Sequence, residues 1–436
     1  MRAAVLAAAC LGLIGASACA GGWSVPTAAG SLHIGVDLPL SGPEGPAAQR
    51  ALNGMRFFVQ QHPTLDGFNV SITTSDDAGG GPPNPQLGAA NITAFINDPA
   101  LVAVIGPFDS AVARREIPVA NAAALAMVSP STSSPCLTKD TYLPAALAPT
   151  GRAITCKDAG LPPASELRPA HVNNFFRLAP TDDLQGPAAA DFAVKTLHVL
   201  KAAVVSDHEA YGQALAAGFS RRFEKLGGSV VGHTDLDPGT EGDATAFLAA
   251  VKRAGARAVY FGGATAGSGC AIRAQMKGIF DPGAATPFLG ADGIADDPAC
   301  VTAAAGNAAG IYATAPLVDA TSLPAAAATL TAFKAAFGRP ADYGPYTMVA
   351  YDTTAVLYAA IDRAIRAAGG QLPVRGNVIS QLSGTSGLTG VTGTIGFDAA
   401  GDTTNRVFSV TEPSSEGAAA PWRLAGNVDY SAALPY

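Results

Sequence analysis

Leu101-Val102-Ala103-Val104-Ile105-Gly106-Pro107 is a run of five apolar residues closed by a glycine and a proline. Alternating apolar and polar residues would mark a strand with one wet face. An unbroken run marks a strand buried on both faces, as in a parallel sheet covered by helices. Working outward, short apolar runs bounded by turn residues recur at 32–40, 70–74, 126–129, 175–179, 202–206, 229–234, 258–261, 287–290 and 310–313. Amphipathic stretches separate them. One passes from Ala48 through Leu52 and Met55 to Val59; another passes from Ala214 through Phe219 to Leu226, where Gly227-Gly228 stops it. Repeated strand-then-helix units predict an α/β protein with doubly wound, Rossmann-like sheets.

At 436 residues the chain is longer than one hydrophobic core usually supports, so two lobes are expected. Beyond Pro316 the pattern changes to helices at 323–337 and 345–368, then a strand of antiparallel type at 393–397. That order predicts a hinge crossed more than once. The N-terminal lobe is expected from 32–179 plus 317–391, and the C-terminal lobe from 180–316 plus 392–436. Segment 136–171 is proline-rich and without clear periodicity, and it reads as a surface loop pinned by a disulfide.

Composition excludes several functions. Hydrophobic residues make up 48% and charged residues 14%, which suits a packed globular protein rather than a disordered one. The net charge is −7 and no run of five basic residues occurs, so nucleic acid is not an expected partner. Arg2, the apolar stretch 3–15 and Ala16-Ser17-Ala18 before Cys19 read as a signal peptide over 1–18. Small residues followed by cysteine resemble a lipobox, with Cys19 lipidated and 19–31 as a Gly/Pro/Thr-rich tether. Cleavage after Ala18 without lipidation remains the alternative. Export places Cys136, Cys156, Cys270 and Cys300 in an oxidising compartment, where four cysteines allow three pairings. The local pairs Cys136–Cys156 and Cys270–Cys300 are the expected ones. No CxxC or zinc-type His spacing is present, so neither a metal nor a cofactor is expected.

The decisive motifs are spread along the chain. They begin with Leu38-Pro39-Leu40-Ser41-Gly42-Pro43, Asn53-Gly54, Val104-Ile105-Gly106-Pro107 with Asp109-Ser110, and Val128-Ser129-Pro130-Ser131-Thr132-Ser133. Phe176-Arg177-Leu178 with Gln185-Gly186 and Asp207-His208-Glu209-Ala210-Tyr211-Gly212 follow. Tyr260-Phe261-Gly262-Gly263, Gly290-Ala291-Asp292-Gly293 and Tyr346-Thr347-Met348-Val349-Ala350-Tyr351-Asp352 complete the set. In this order and spacing they resemble the periplasmic leucine/isoleucine/valine-binding proteins, type I solute-binding receptors of ABC importers, over roughly residues 32–410.

The resemblance implies a small-molecule receptor, normally monomeric, that serves a permease and an ATPase and touches the membrane only through a lipid anchor. It implies an α-carboxylate held by Ser110, Ser131 and Ser133, with Thr132 in the same loop. Ser110 follows a strand and opens a helix, where unpaired N–H groups favour an anion. Asp292 matches the position that receives the α-ammonium, and Tyr211 and Tyr346 match pocket walls, with Tyr343 competing for the latter role. Ala264 and Ala47 stand where family members often carry an aromatic contact, so leucine specificity does not follow. Asp109 could repel a carboxylate or simply cap its helix. No G-x-S-x-G, P-loop, H-E-x-x-H or G-x-G-x-x-G occurs, and the six histidines are scattered, so an enzyme is not expected. His208, beside Tyr211, either contacts ligand or caps a helix. The alternatives within the same fold are a receptor for an aromatic acid, amide or short peptide, or a ligand sensor without transport.

Overall fold

The computed structural model describes residues 30–236, 242–265, 268–280, 286–414 and 422–436. The expected signal peptide, Cys19 and nearly all of the tether lie outside them.

The first sheet is built on β1 (Gly30–Leu38), whose Leu32, Ile34, Val36 and Leu38 are fully buried. A short edge strand β2 (Thr64–Leu65) pairs antiparallel with β3 (Phe68–Asp76), which runs parallel to β1 on one side while β4 (Leu101–Ile105) runs parallel on the other. β5 (Ala126–Ser129) follows. β6 (Thr141–Leu143) and β7 (Ile154–Thr155) form a small separate hairpin, and β8 (Phe175–Arg177) completes the sheet in the order β2-β3-β1-β4-β5-β8. Helices α1 (Gly45–Gln61), α2 (Pro85–Ile96) and α3 (Ser110–Ala122) provide its crossovers.

The second sheet holds the parallel strands β9 (Lys201–Ser206), β10 (Ser229–Asp235), β11 (Ala258–Gly262), β12 (Phe288–Gly290) and β13 (Ile311–Ala315). Helices α4 (Asp182–Lys195), α5 (Ala210–Lys225), α6 (Thr245–Arg253), α7 (Gly269–Met276) and α8 (Pro298–Ala303) accompany it. The chain then returns to the first lobe. α9 (Ala327–Phe337) brings Phe333 against Phe57 of α1, and α10 (Thr347–Ala367) and α11 (Arg375–Ser383) bury Val356, Leu357, Ile361 and Val378 in the first core. Gly54 makes the α1–α10 approach possible, because a Cβ there would collide with the Thr347 carbonyl.

Two antiparallel strands finish the second sheet, β16 and β17 of the order β10-β9-β11-β12-β13-β16-β17. Before them comes a hairpin, β14 (Leu388–Gly390) with β15 (Gly393–Ile395); then β16 (Val407–Pro413) pairs with β13, and β17 (Trp422–Asp429) with β16. The two doubly wound lobes are therefore joined by three crossings: β8 to α4, β13 to α9, and β15 to β16.

Several expectations are corrected. The strand at 393–397 does not join the second lobe: Ile395 and Phe397 lie in the first core, and Asp352 of α10 accepts the backbone N–H groups of Val391 and Thr392. The third crossing therefore follows Phe397 rather than residue 391. Neither β16 nor β17 was marked by an apolar run. Segment 136–171 is more than a surface loop. The Cys136–Cys156 disulfide pins it, with Cα atoms 5.7 Å apart, and Leu143, Leu147 and Ala148 are buried against Ala217 of α5 in the second lobe. Cys136, Tyr142 and Cys156 form a second cluster touching Ala214 of the same helix. Cys270–Cys300 ties α7 to α8.

Candidate functional site between the lobes

The carboxyl ends of the strands carry the loops that meet between the lobes, as expected of doubly wound sheets. From the first lobe comes the serine loop after β5. Arg177, fully buried in β8, holds it in place: Nη1 donates to the carbonyls of Ser134 (2.7 Å) and Thr132 (3.3 Å), Nη2 to Thr138 Oγ1 (2.5 Å), and Nε to Asp402 Oδ1 (2.7 Å). Lys139 Nζ lies 3.2 Å from Asp402 Oδ2. Burial opposes ionisation of Asp402, but the two cations overcome it and hold its pKa down to about 2.

The hydroxyls of this loop are not equivalent. Ser131 donates to the Phe108 carbonyl at 2.8 Å and its N–H reaches Ser129 Oγ, so its polar groups are committed to the loop itself. Thr132 Oγ1 is buried with no partner. Ser133 lies beside Asp182, whose N–H donates to the Ser133 carbonyl at 3.0 Å. Beside them, Ser110 is the first residue of α3, and its oxygen accepts the Ser134 N–H at 3.3 Å. Asp109 caps α3, accepting from Ala111 (2.6 Å) and Val112 (3.1 Å) N–H groups. Its carboxylate is turned onto the helix, and the capping role is the one it fills.

The second lobe supplies Asp292, after β12. Tyr211, near the start of α5, donates its hydroxyl to Asp292 Oδ1, and the Gln185 amide of α4 lies beside the same carboxylate. Gln185 is itself fixed by a 2.8 Å bond to the Thr314 carbonyl. Burial raises the pKa of Asp292. Burial and the neighbouring Asp292 charge push Asp182 up to about 7, although Ser133 works against the shift. Two half-buried carboxylates thus feel each other's charge in a site whose polar donors do not neutralise them. Such a pair favours a cation between its members.

Aromatic rings close the site. Tyr346 meets Phe108 edge-on, with centroids 5.0 Å apart, and the charges around its hydroxyl are Asp292, Asp296, Asp182 and Glu44. Tyr343 instead packs edge-on against Phe333 and lines a separate cavity of about 550 Å³ with Arg50, Asp296, Asp319 and Trp422. Tyr142, from the disulfide-pinned insertion, has Asp182, Arg114 and Asp207 around it, so that insertion reaches the rim of the site.

A family model for the periplasmic binding proteins matches residues 31–418, nearly the whole described chain. The chain belongs to the periplasmic binding protein family. As a member it is an extracytoplasmic solute-binding protein and not an enzyme. A Leu/Ile/Val-binding protein, BraC3, of Rhizobium johnstonii is 28% identical over 393 residues, covering 88% of this chain and 92% of the relative. Among solved structures, the LivJ protein of Streptococcus pneumoniae in complex with isoleucine superposes with a TM-score of 0.65 at 19% identity, covering 92% and 99% of the two chains. A solute-binding protein of R. palustris in complex with benzoate gives 0.64 at 20%, covering 91% and 96%. At these identities the structures share the fold.

In this binding protein, Ser110 is tied to the serine loop through the Ser134 N–H, Ser133 lies beside Asp182, Tyr211 bonds Asp292, and Tyr346 feels the charges of both carboxylates, with Thr132 in the same loop. Ala264 lies at its edge, its N–H donating to Asp207 at 3.2 Å and its Cα close to Gly293. His208 is exposed in a left-handed turn (φ 68°) and makes no side-chain bond to the site. Sequence reasoning gave no role to Asp182, Gln185 or Phe108. The available signal for Asp182 was positional: it opens a helix just past the end of β8, as Ser110 does past β4. None of the described helices is long and apolar enough to cross a membrane.

Proposed function

We propose that this binding protein takes a small zwitterion of the amino-acid class, branched-chain-like in size, between its lobes and delivers it to an ABC permease and its ATPase. The carboxylate is assigned to Ser110, Thr132 and Ser133 near the α3 N-terminus, and the ammonium to Asp182 and Asp292. Ser131 shapes the loop rather than touching the solute. The observation that carries this reading is the carboxylate pair, a cation-selective feature beside a loop of hydroxyls and a helix start. Contacts from both lobes make the closed arrangement the one a ligand favours. The lobes are taken as the two sheets with their helices, and the monomer as the working unit. Cys19 is read as the lipidated N-terminus that anchors the protein outside the cell membrane.

A second reading, an aromatic acid, draws support from the small Ala264 and Ala47, which leave space where a larger side chain would stand. The two readings separate on charge. Calorimetric titration with branched-chain amino acids, their deaminated keto acids, and benzoate tests them directly. Saturable binding of the amino acid and none of its keto acid is expected. Tight binding of benzoate or a keto acid, with none of the amino acid, would overturn the zwitterion assignment.

A further inference from the structure

A second set of carboxylates lies inside the first lobe, at the strand ends behind the helix that Ser110 opens. Asp37 near the end of β1, Asp77 just past β3, and Glu116 in the middle of α3 are all fully buried. One oxygen from each lies within 4.8 Å of the others. Asn91 donates to Asp37 Oδ1 at 2.9 Å. Asp37 Oδ2 and both oxygens of Asp77 and of Glu116 find no donor, and Asp37 and Glu116 lie close enough to share a proton. The charges that Asp77 feels are all negative, from Asp37, Asp109, Asp76 and Glu44.

Buried ionised carboxylates without donors are costly, so something must neutralise them. Protons serve poorly here. A carboxylic acid must donate its proton to an acceptor, and one proton shared between Asp37 and Glu116 still leaves both Asp77 oxygens orphaned. A single cation satisfies all three residues at once. Donors up to 4.8 Å apart fit around an ion with bonds of about 2.4 Å, within the calcium range; magnesium, at about 2.1 Å, needs a tighter cage. Oxygen-only donors disfavour zinc and copper. The backbone leaves room for this cage: a Cβ on Gly88 of α2 would come 2.5 Å from Glu116 Oε1.

We propose that Asp37, Asp77 and Glu116 form a calcium site in the first lobe, behind the loop that carries Ser110. The Asp37 backbone lies so close to Gly106 that a Cβ there would collide with its carbonyl, and Glu116 lies on the same helix as Ser110, so the ion braces the strand end and helix beside the serine loop. This inference is independent of the solute's identity.

The test uses the full chain, stripped with EDTA, followed by equilibrium dialysis with calcium and thermal unfolding with 10 mM calcium or magnesium. One calcium per chain is expected, with a dissociation constant of roughly 10⁻⁴ M or tighter and a rise of several degrees in Tm. Asp77→Asn removes one repelling charge, so it is expected to unfold at a higher temperature than wild type in EDTA and to lose the calcium response. Glu116→Gln provides the second variant should either fold poorly. Absence of binding in wild type up to 10 mM overturns the proposal. So does a calcium response that survives in both variants, or a wild type stabilised by acid alone and indifferent to calcium.

Discussion

Asp292→Asn keeps the shape of the side chain and its place beside Tyr211 and Gln185 while removing its charge. Loss of one partner of a desolvated, hydrogen-bonded charge pair costs about 2–5 kcal/mol, or at least about thirtyfold in affinity for a zwitterion. Asp182 complicates the arithmetic in a testable way. Its pKa of about 7 comes from burial and then from Asp292, so the variant lowers it. At pH 7.5 Asp182 is already mostly ionised in wild type, and the full penalty appears. At pH 6 wild type must first expel a proton from Asp182, at a cost of about 1.4 kcal/mol per pH unit below its pKa, whereas the variant is spared part of that cost. The penalty should therefore shrink, by up to about tenfold, between pH 7.5 and 6. Calorimetric titration of both proteins with the best-binding amino acid at the two pH values measures it. Unchanged affinity at pH 7.5 refutes the role of Asp292. A large penalty independent of pH refutes the coupling to Asp182.

Other predictions concern the scaffold. In wild type itself, affinity for the amino acid should weaken as pH falls below about 7, because Asp182 gains a proton that the ammonium must displace; a flat profile from pH 8 to 5.5 contradicts this. Asp402→Ala leaves Arg177 buried without its carboxylate and should destabilise by about 3–5 kcal/mol in denaturant titration. Since the native pKa of Asp402 is depressed to about 2, its contribution is present above about pH 4 and fades as pH falls toward 2, a loss the variant should not show. Replacing Cys136 and Cys156 with serine opens a disulfide spanning 20 residues and should cost about 3 kcal/mol, read from the same titrations. Cys19→Ala should move the protein from the membrane fraction to the soluble one in its native host; an unacylated mature chain beginning at Cys19 would contradict lipidation.

Much of the fold could be read because burial leaves plain marks. The run 101–105 became β4 residue for residue, since a strand covered on both faces tolerates little but apolar side chains. β17 escaped because it is a half-exposed edge strand carrying Arg423, Gly426 and Asn427, with no apolar run to mark it. The cysteine pairs were legible from spacing and compartment. That the segment they pin lies on Ala214 and Ala217 was not, because that contact depends on how two lobes meet. Asp182 and Asp292 stand 110 positions apart, and only folding shows that they share a site. Arg177 left a local signal that deserved more weight: a guanidinium inside Phe175-Phe176-Arg177-Leu178 must find a carboxylate.

The backbone link between Ser133 and Asp182 sets a length scale for recognition. In the proposed assignment, the residue offered to the solute's anion accepts at its carbonyl the backbone N–H of a residue offered to its cation. On that assignment the two charge-binding positions are neighbours on the seam where the chain enters the second lobe, not opposite ends of an adjustable trough. A zwitterion held there must carry its charges about as close together as an α-amino acid does, on substituents of a single carbon. γ-Aminobutyrate and longer ω-amino acids have the same two charges but hold them several bonds apart, and this seam should reject them whatever the size of the apolar space beyond.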